Sequence, residues 1–138
     1  MRQERESSVM ELKYMELKSG YNDNGPAWIG WVKSSQSGKT IYFNDHAFQK
    51  AGEGKGWYYD VETGENWWIS GVKKNGLDRH WAGSGYDRIQ IARDAVEEYL
   101  TITGAREIDS QRLVIVDIPA SFPVERIGSL LNGKMQRE

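Results

Sequence analysis

The chain contains no cysteine, only three prolines, three phenylalanines and two histidines, and no long apolar run. Without cysteine there is no disulfide, no thiolate nucleophile and no cysteine-ligated zinc site. The two histidines, His46 and His80, stand far apart and form no HxxxH or HxH pair, so no metal centre is indicated. No stretch approaches the ~18 apolar residues of a membrane span. Met1–Ser8 is charged and lacks the apolar core of a secretory signal, so a cytoplasmic protein without membrane contact is expected. Charge of one sign is also scarce: 18 Lys and Arg against 20 Asp and Glu leave a formal charge of -2. That balance excludes a bulk electrostatic grip on nucleic acid.

What the chain does have is 6 Trp, 7 Tyr and 15 Gly in 138 residues. A length of this order suits one domain that holds itself by burial alone. Residues 1–10 are polar and expected to be disordered. Residues 11–104 read as a β-rich body ending in a helix, and 105–138 as a strand–helix extension packed on the body or on a partner. Strands are expected at Leu12–Lys18, Ala27–Lys33, Lys39–Asn44, Trp57–Val61, Asn66–Lys73 and Leu77–Ala82. The turns are marked by Gly38, Glu62-Thr63-Gly64 and Asn75-Gly76. A further strand fits Arg88–Ile91. Asp94–Ile102 carries a helical stripe stopped by Gly104, Leu113–Ile118 is a buried-type strand, and Pro123–Leu131 a helix with Val124, Ile127, Leu130 and Leu131 on one side before Gly133. The fold class expected is α+β, mainly β: a small, strongly twisted antiparallel barrel, SH3-like or OB-like, followed by a helix–strand–helix tail.

Several motifs dissolve on inspection. Gly38-Lys39-Thr40 ends like a phosphate-binding loop, but the required upstream glycine is Lys33, and a strand follows instead of a helix. Gly52-Glu53-Gly54 begins a dinucleotide fingerprint whose third glycine falls on Trp57, with no βαβ unit around it. Asp45-His46 and Asp78-Arg79-His80 put carboxylates beside histidines. Along a strand Asp78 and His80 share a face, so Asp78, Arg79 and His80 are the catalytic candidates of an enzyme reading.

The stretches YMELKSGYNDNGPAWIG (Tyr14 to Gly30), SGKTIYF (Ser37 to Phe43) and YYDVETGENWWISGVKKNGLDRHWAGSG (Tyr58 to Gly85) resemble a group of short uncharacterised bacterial proteins. The resemblance covers about half of the chain. Some members carry the label 1-deoxy-xylulose-5-phosphate synthase. That enzyme class holds thiamine diphosphate through a metal ion and a Gly-Asp-Gly motif between large α/β domains. This chain has no Gly-Asp-Gly and no room for such domains, so the resemblance implies no activity and no cofactor.

All six Trp lie between Trp28 and Trp81. Trp28 and Trp31 have opposite parity along one strand, as do Trp67 and Trp68, and a small barrel has only one interior. The leading expectation is therefore a binding protein that presents Trp31, Tyr42, Tyr58, Trp67 and Trp81 beside Lys39, Lys73, Lys74 and Arg79. Its ligand would be a protein partner or a second copy. The alternatives are a single-stranded DNA or RNA binder on the same barrel, conditional on the charges segregating by face, and the small enzyme.

Overall fold

The computed structural model describes residues 9–18, 25–35, 37–52, 54–76, 88–119 and 121–136. Strands β1 (Val9–Leu17), β2 (Ala27–Ser34), β3 (Thr40–Phe43), β4 (His46–Lys50), β5 (Trp57–Asp60) and β6 (Asn66–Gly71) pair antiparallel with their sequence neighbours. β1 then pairs with both β2 and β6, which closes a six-stranded up-and-down barrel. Outside it, β7 (Ile89–Ala92) runs parallel to β2 through Trp28↔Gln90 and Ile29↔Ile91, and β8 (Leu113–Val116) runs parallel to β7. Helix α1 (Val96–Thr103) follows a 3-10 turn at Arg93–Ala95, and α2 (Val124–Gln136) ends the described chain. The molecule is thus the expected small antiparallel barrel with a helix–strand–helix tail.

Parity explains the core. Met15, Trp28, Val32, Ile41, Phe43, Phe48, Trp67 and Ile69 sit at facing positions of the barrel ladders and form one cluster, the lumen. The residues between them point outward into two further clusters. Tyr14, Ala27 and Ile29 are covered by Ile89, Ile91, Ala95 and Tyr99, with Trp31 and Trp68 at the margin. Tyr42, Ala47 and Val61 are covered by Ile127, with Phe122, Leu130 and Leu131 beside it. The tail therefore packs on its own barrel. Four of the six Trp are placed the same way, Trp28 and Trp67 in the lumen and Trp31 and Trp68 against the outer cluster.

Some boundaries differ from the sequence reading. Val9 and Met10, placed in the disordered 1–10 segment, belong to β1, where they lie opposite Ser34 and Lys33 on a long partner strand. β4 was not expected at all. It is reached through a two-residue turn, Asn44-Asp45, in which both residues take positive φ (49° and 66°), as a type I′ hairpin requires. α2 runs past Gly133, since one glycine inside a helix costs only about 1 kcal/mol. Val124, expected on the apolar side of α2, is exposed, because the helix turns Ile127 and not its first residue onto Tyr42. The strand expected at Leu77–Ala82 lies outside the described residues.

Candidate functional site

In a meander of six strands, alternate connections lie at the same end. One end of the barrel carries the β2–β3 turn, the β4–β5 loop and the segment after β6. The other carries the β1–β2, β3–β4 and β5–β6 connections. This alternation sorts the charges. Lys39, Lys50, Lys55, Lys73 and Lys74 stand exposed at the first end, with Lys13 and Lys33 just below. The described carboxylates near these lysines are Glu11, 4.0 Å from Lys13, and Glu107 and Asp109, which line a cleft with Asn75 and Gly76 just after Lys73 and Lys74; Glu53 lies outside the described residues. Glu16, Asp45, Asp60, Glu62 and Glu65 gather at the other end. A chain with almost no net charge therefore builds a strongly polarised barrel.

Most of the acidic end is paired within the chain. Arg126 of α2 donates to both carboxylate oxygens of Glu62 at 2.9 Å, to Asp45 Oδ1 at 3.3 Å and to the Asp45 carbonyl at 3.0 Å. Ser121 ties the same turn down, its carbonyl accepting from Asp45 N–H at 2.7 Å and its hydroxyl donating to Asp45 Oδ1 at 3.1 Å. Lys18 lies 3.0 Å from Glu16, which also accepts the Tyr14 hydroxyl at 2.6 Å. Asp60 is 1% exposed; its Oδ1 accepts the backbone N–H of Glu62 and Thr63, and its Oδ2 meets His46 Nδ1 at 3.0 Å. The His46 ring leans on Phe48 and Trp67.

The basic end is different. Among the described residues, Lys39, Lys50, Lys55 and Lys74 form no ion pair. Two aromatic rings belong to this rim. Trp57, at the first position of β5, is 39% exposed and meets Trp68 edge-to-face at 5.2 Å. Gly56 is what permits that pairing: its φ is 89°, and a Cβ there would fall 2.6 Å from the Trp68 ring. Tyr58 faces inward at the mouth and is half-buried. Burial, and secondarily the Glu11 carboxylate, push its phenol above the usual tyrosine range.

The residues singled out from sequence are therefore dispersed. Trp31 is half-buried on the outer wall, its indole N–H donating to the Asp94 carbonyl at 3.2 Å. Tyr42 is buried beneath α2, and that burial raises its pKa. Trp67 is 4% exposed in the lumen, stacked on Trp28 at 5.4 Å, with its indole nitrogen buried and unpartnered. They do not form one contact surface, because each alternate position serves a different core. Tyr58, Lys39, Lys73 and Lys74 do belong to one end. Trp81 and the triplet Asp78, Arg79 and His80 lie outside the described residues.

Sequence reasoning placed Lys55 among the basic residues that interleave with the aromatics, but missed Lys50, Trp57 as an exposed ring of that end, and the His46–Asp60 pair. The signal for the first was available: lysines recur at every second connection of the meander. Among the described residues no group of three or more His, Asp or Glu side chains is placed to hold a metal ion. No described helix is long and apolar enough to cross a membrane. Compared with known proteins, the chain matches no family model, no curated protein and no solved structure.

Proposed function

We propose that the protein is a cytoplasmic binding protein whose ligand is a single-stranded nucleic acid, held at the basic end of the barrel. The observation that carries this reading is the segregation of charge between the two ends. Lysines on the β2–β3 turn, around the β4–β5 loop and just after β6 offer a phosphate backbone several cations, and the described carboxylates near them are Glu11 and, beside Lys73 and Lys74, Glu107 and Asp109. Trp57 supplies an exposed ring on the outer side and Tyr58 a half-buried one at the inner mouth, and bases stack on such rings irrespective of sequence. The glycines of the β4–β5 loop let backbone approach the ligand closely. The protein-partner reading drew its support from an aromatic platform, and three of its rings are spent on packing.

The enzyme reading has a specific observation of its own in His46 and Asp60. With Asp60 ionised, Nδ1 carries the proton and Nε2 is left as an acceptor, the orientation a general base needs. Among the described residues, however, no hydroxyl is hydrogen-bonded to His46, so the pair has no nucleophile to activate. Asp60 is meanwhile occupied in closing the β5–β6 turn. The pair therefore serves as a structural clasp.

The test is fluorescence anisotropy with a labelled oligothymidylate of about 12 nucleotides, within the usual range for small barrels. Affinity should fall with salt, with a log–log slope of about -0.7 for each phosphate neutralised. Lys50→Glu combined with Lys55→Glu should weaken binding by roughly tenfold or more. Removing the charges of Lys73 and Lys74 should lower the salt slope, whereas Glu65→Gln at the far end should change neither. Absent or salt-independent binding, or an equal loss on Glu65→Gln, would overturn the proposal.

A further inference from the structure

A cleft of about 190 Å³ opens outside the barrel, between the end of α1 and the starts of β7 and β8. Its floor is apolar and built from Ile89, Tyr99 and Leu113, all of them buried. Asn75 and Gly76 wall one side, directly after the exposed Lys73 and Lys74, and the connection from α1 to β8 walls the other. In that connection Ile108 packs inward against the outer core cluster, so Glu107 and Asp109 stand exposed on either side of it. An apolar floor beneath a few polar groups is the usual make-up of a small-molecule site. A volume below the roughly 300–1,000 Å³ of drug-sized pockets suits a single planar ring system.

The polar groups of the cleft are unequally engaged. Asp109 closes its own turn: its Oδ1 accepts the Gln111 N–H at 3.0 Å, and its carbonyl accepts the N–H groups of Arg112 and Leu113. That turn fixes where Arg112 emerges. Arg112 Nε lies 3.9 Å from Asp109 Oδ2, close enough to be attracted but too far for a hydrogen bond. The guanidinium is therefore steered while its donors stay uncommitted. Among the described residues, none pairs with the Glu107 carboxylate. One open pair of acceptors and one open fork of donors thus share the rim of an apolar floor.

A cationic ligand would meet Glu107 but be repelled by Arg112, and an anionic one would meet the reverse. A neutral ring with donors and acceptors on neighbouring edges satisfies both. Guanine has that pattern. Its N1–H and exocyclic amino group are adjacent donors for the two oxygens of one carboxylate, while its O6 and N7 accept an arginine fork. Adenine, cytosine and thymine each lack two adjacent donors.

We propose that the cleft binds a guanine nucleotide. Glu107 accepts from N1–H and the exocyclic amino group, Arg112 donates to O6 and N7, and the ring rests on Ile89, Tyr99 and Leu113. The phosphate turns toward Lys73 and Lys74, the cations next to Asn75 in the chain. The nucleotide comes either free or as one residue of a strand. The site lies outside the barrel mouth and needs nothing bound there.

The test is titration with guanosine monophosphate followed in amide correlation spectra, which should move the signals of Tyr99, Arg112 and Leu113. Inosine monophosphate, which lacks the exocyclic amino group, should bind about tenfold more weakly, and adenosine monophosphate more weakly still. Glu107→Gln and Arg112→Gln should each weaken guanosine monophosphate by about tenfold, with unchanged circular dichroism spectra. An oligothymidylate carrying one guanine separates the two sources. Tighter binding than plain oligothymidylate assigns the base to a strand, and equal binding assigns the site to the free nucleotide. Plain oligothymidylate reports on the barrel mouth alone, so its failure to bind would leave the result at the cleft standing. Guanosine monophosphate that moves none of these signals, or binds no better than adenosine monophosphate, would overturn the proposal. So would an affinity that survives both Glu107→Gln and Arg112→Gln.

Discussion

The two ends of the barrel are built from the same strands and the same kinds of turn, yet they treat charge in opposite ways. At the acidic end each described carboxylate that is buried or half-covered meets a cation or backbone N–H groups: Glu62 and Asp45 meet Arg126, Asp60 meets His46 and two backbone amides, and Glu16 meets Lys18. At the basic end Lys39, Lys50, Lys55 and Lys74 point to solvent. Internal pairing consumes most of that charge in holding α2 and the turns in place, with exposed Glu65 accepting only the Thr63 hydroxyl. Exposed like charges contribute little to folding and repel one another, so the basic end is the one that gains when an anion arrives. The two ends therefore differ in that one is largely paired within the chain and the other is exposed to solvent.

The sharpest way to break it is at the closed end. Asp60→Ala removes the acceptor of two backbone N–H groups and the partner of His46 from a fully buried position. It should cost about 3 kcal/mol in chemical denaturation, because several donors lose their acceptor at once. Asp60→Asn keeps an acceptor oxygen for the turn and should cost less. If Asp60→Ala unfolds the chain no more easily than a typical surface change, the acidic end is not a clasp and the contrast fails.

Next in size is the open end. Gly56→Ala forces a side chain into positive φ and into the Trp68 ring, and should cost about 2 kcal/mol. The Trp57–Trp68 edge-to-face pair should be lost with it, visible as a change in near-ultraviolet circular dichroism. Oligonucleotide affinity should fall as well, since Trp57 loses its support. A variant that loses stability but keeps full affinity would detach Trp57 from the binding rim and leave the lysines to act alone.

These two residues also show what a sequence can and cannot disclose. The hairpins turning at Gly38 and Gly64, the helix stop at Gly104 and the strand at Ile89–Ala92 were legible, because each rests on local turn chemistry or apolar pattern. β4 was not, since His46-Ala-Phe-Gln-Lys has no strong strand composition and its turn, Asn44-Asp45, lacks glycine. The opposite parity of Trp28 and Trp31 was legible; what covers each face was not, because that depends on a tail far along the chain. Asp60 reads as one more surface carboxylate between Tyr59 and Val61. The antiparallel pairing of β4 with β5, in a register that needs the unforeseen β4, brings it to His46, 14 residues away. The charge segregation followed from topology alone, once six consecutive strands were known to alternate in direction.

The smallest effect tests the field at the basic mouth itself. Tyr58 sits at the mouth that carries the lysines, and burial, and after it the nearby Glu11, raise its pKa. A phenol whose folded pKa lies above its unfolded value of about 10 favours the folded state while it is neutral. Its contribution is fully present below pH 10 and is lost as pH rises through the folded value. Stability should therefore decline with pH above about 10, with Tyr42 contributing in the same direction, and Tyr58→Phe should make that decline shallower. Absorbance titration at the phenolate band assigns the shift, and Glu11→Gln should bring it part of the way back. A Tyr58 that ionises below pH 10 would mean that the lysines outweigh both burial and Glu11. The basic end would then be more strongly polarised than its ion pairs alone indicate.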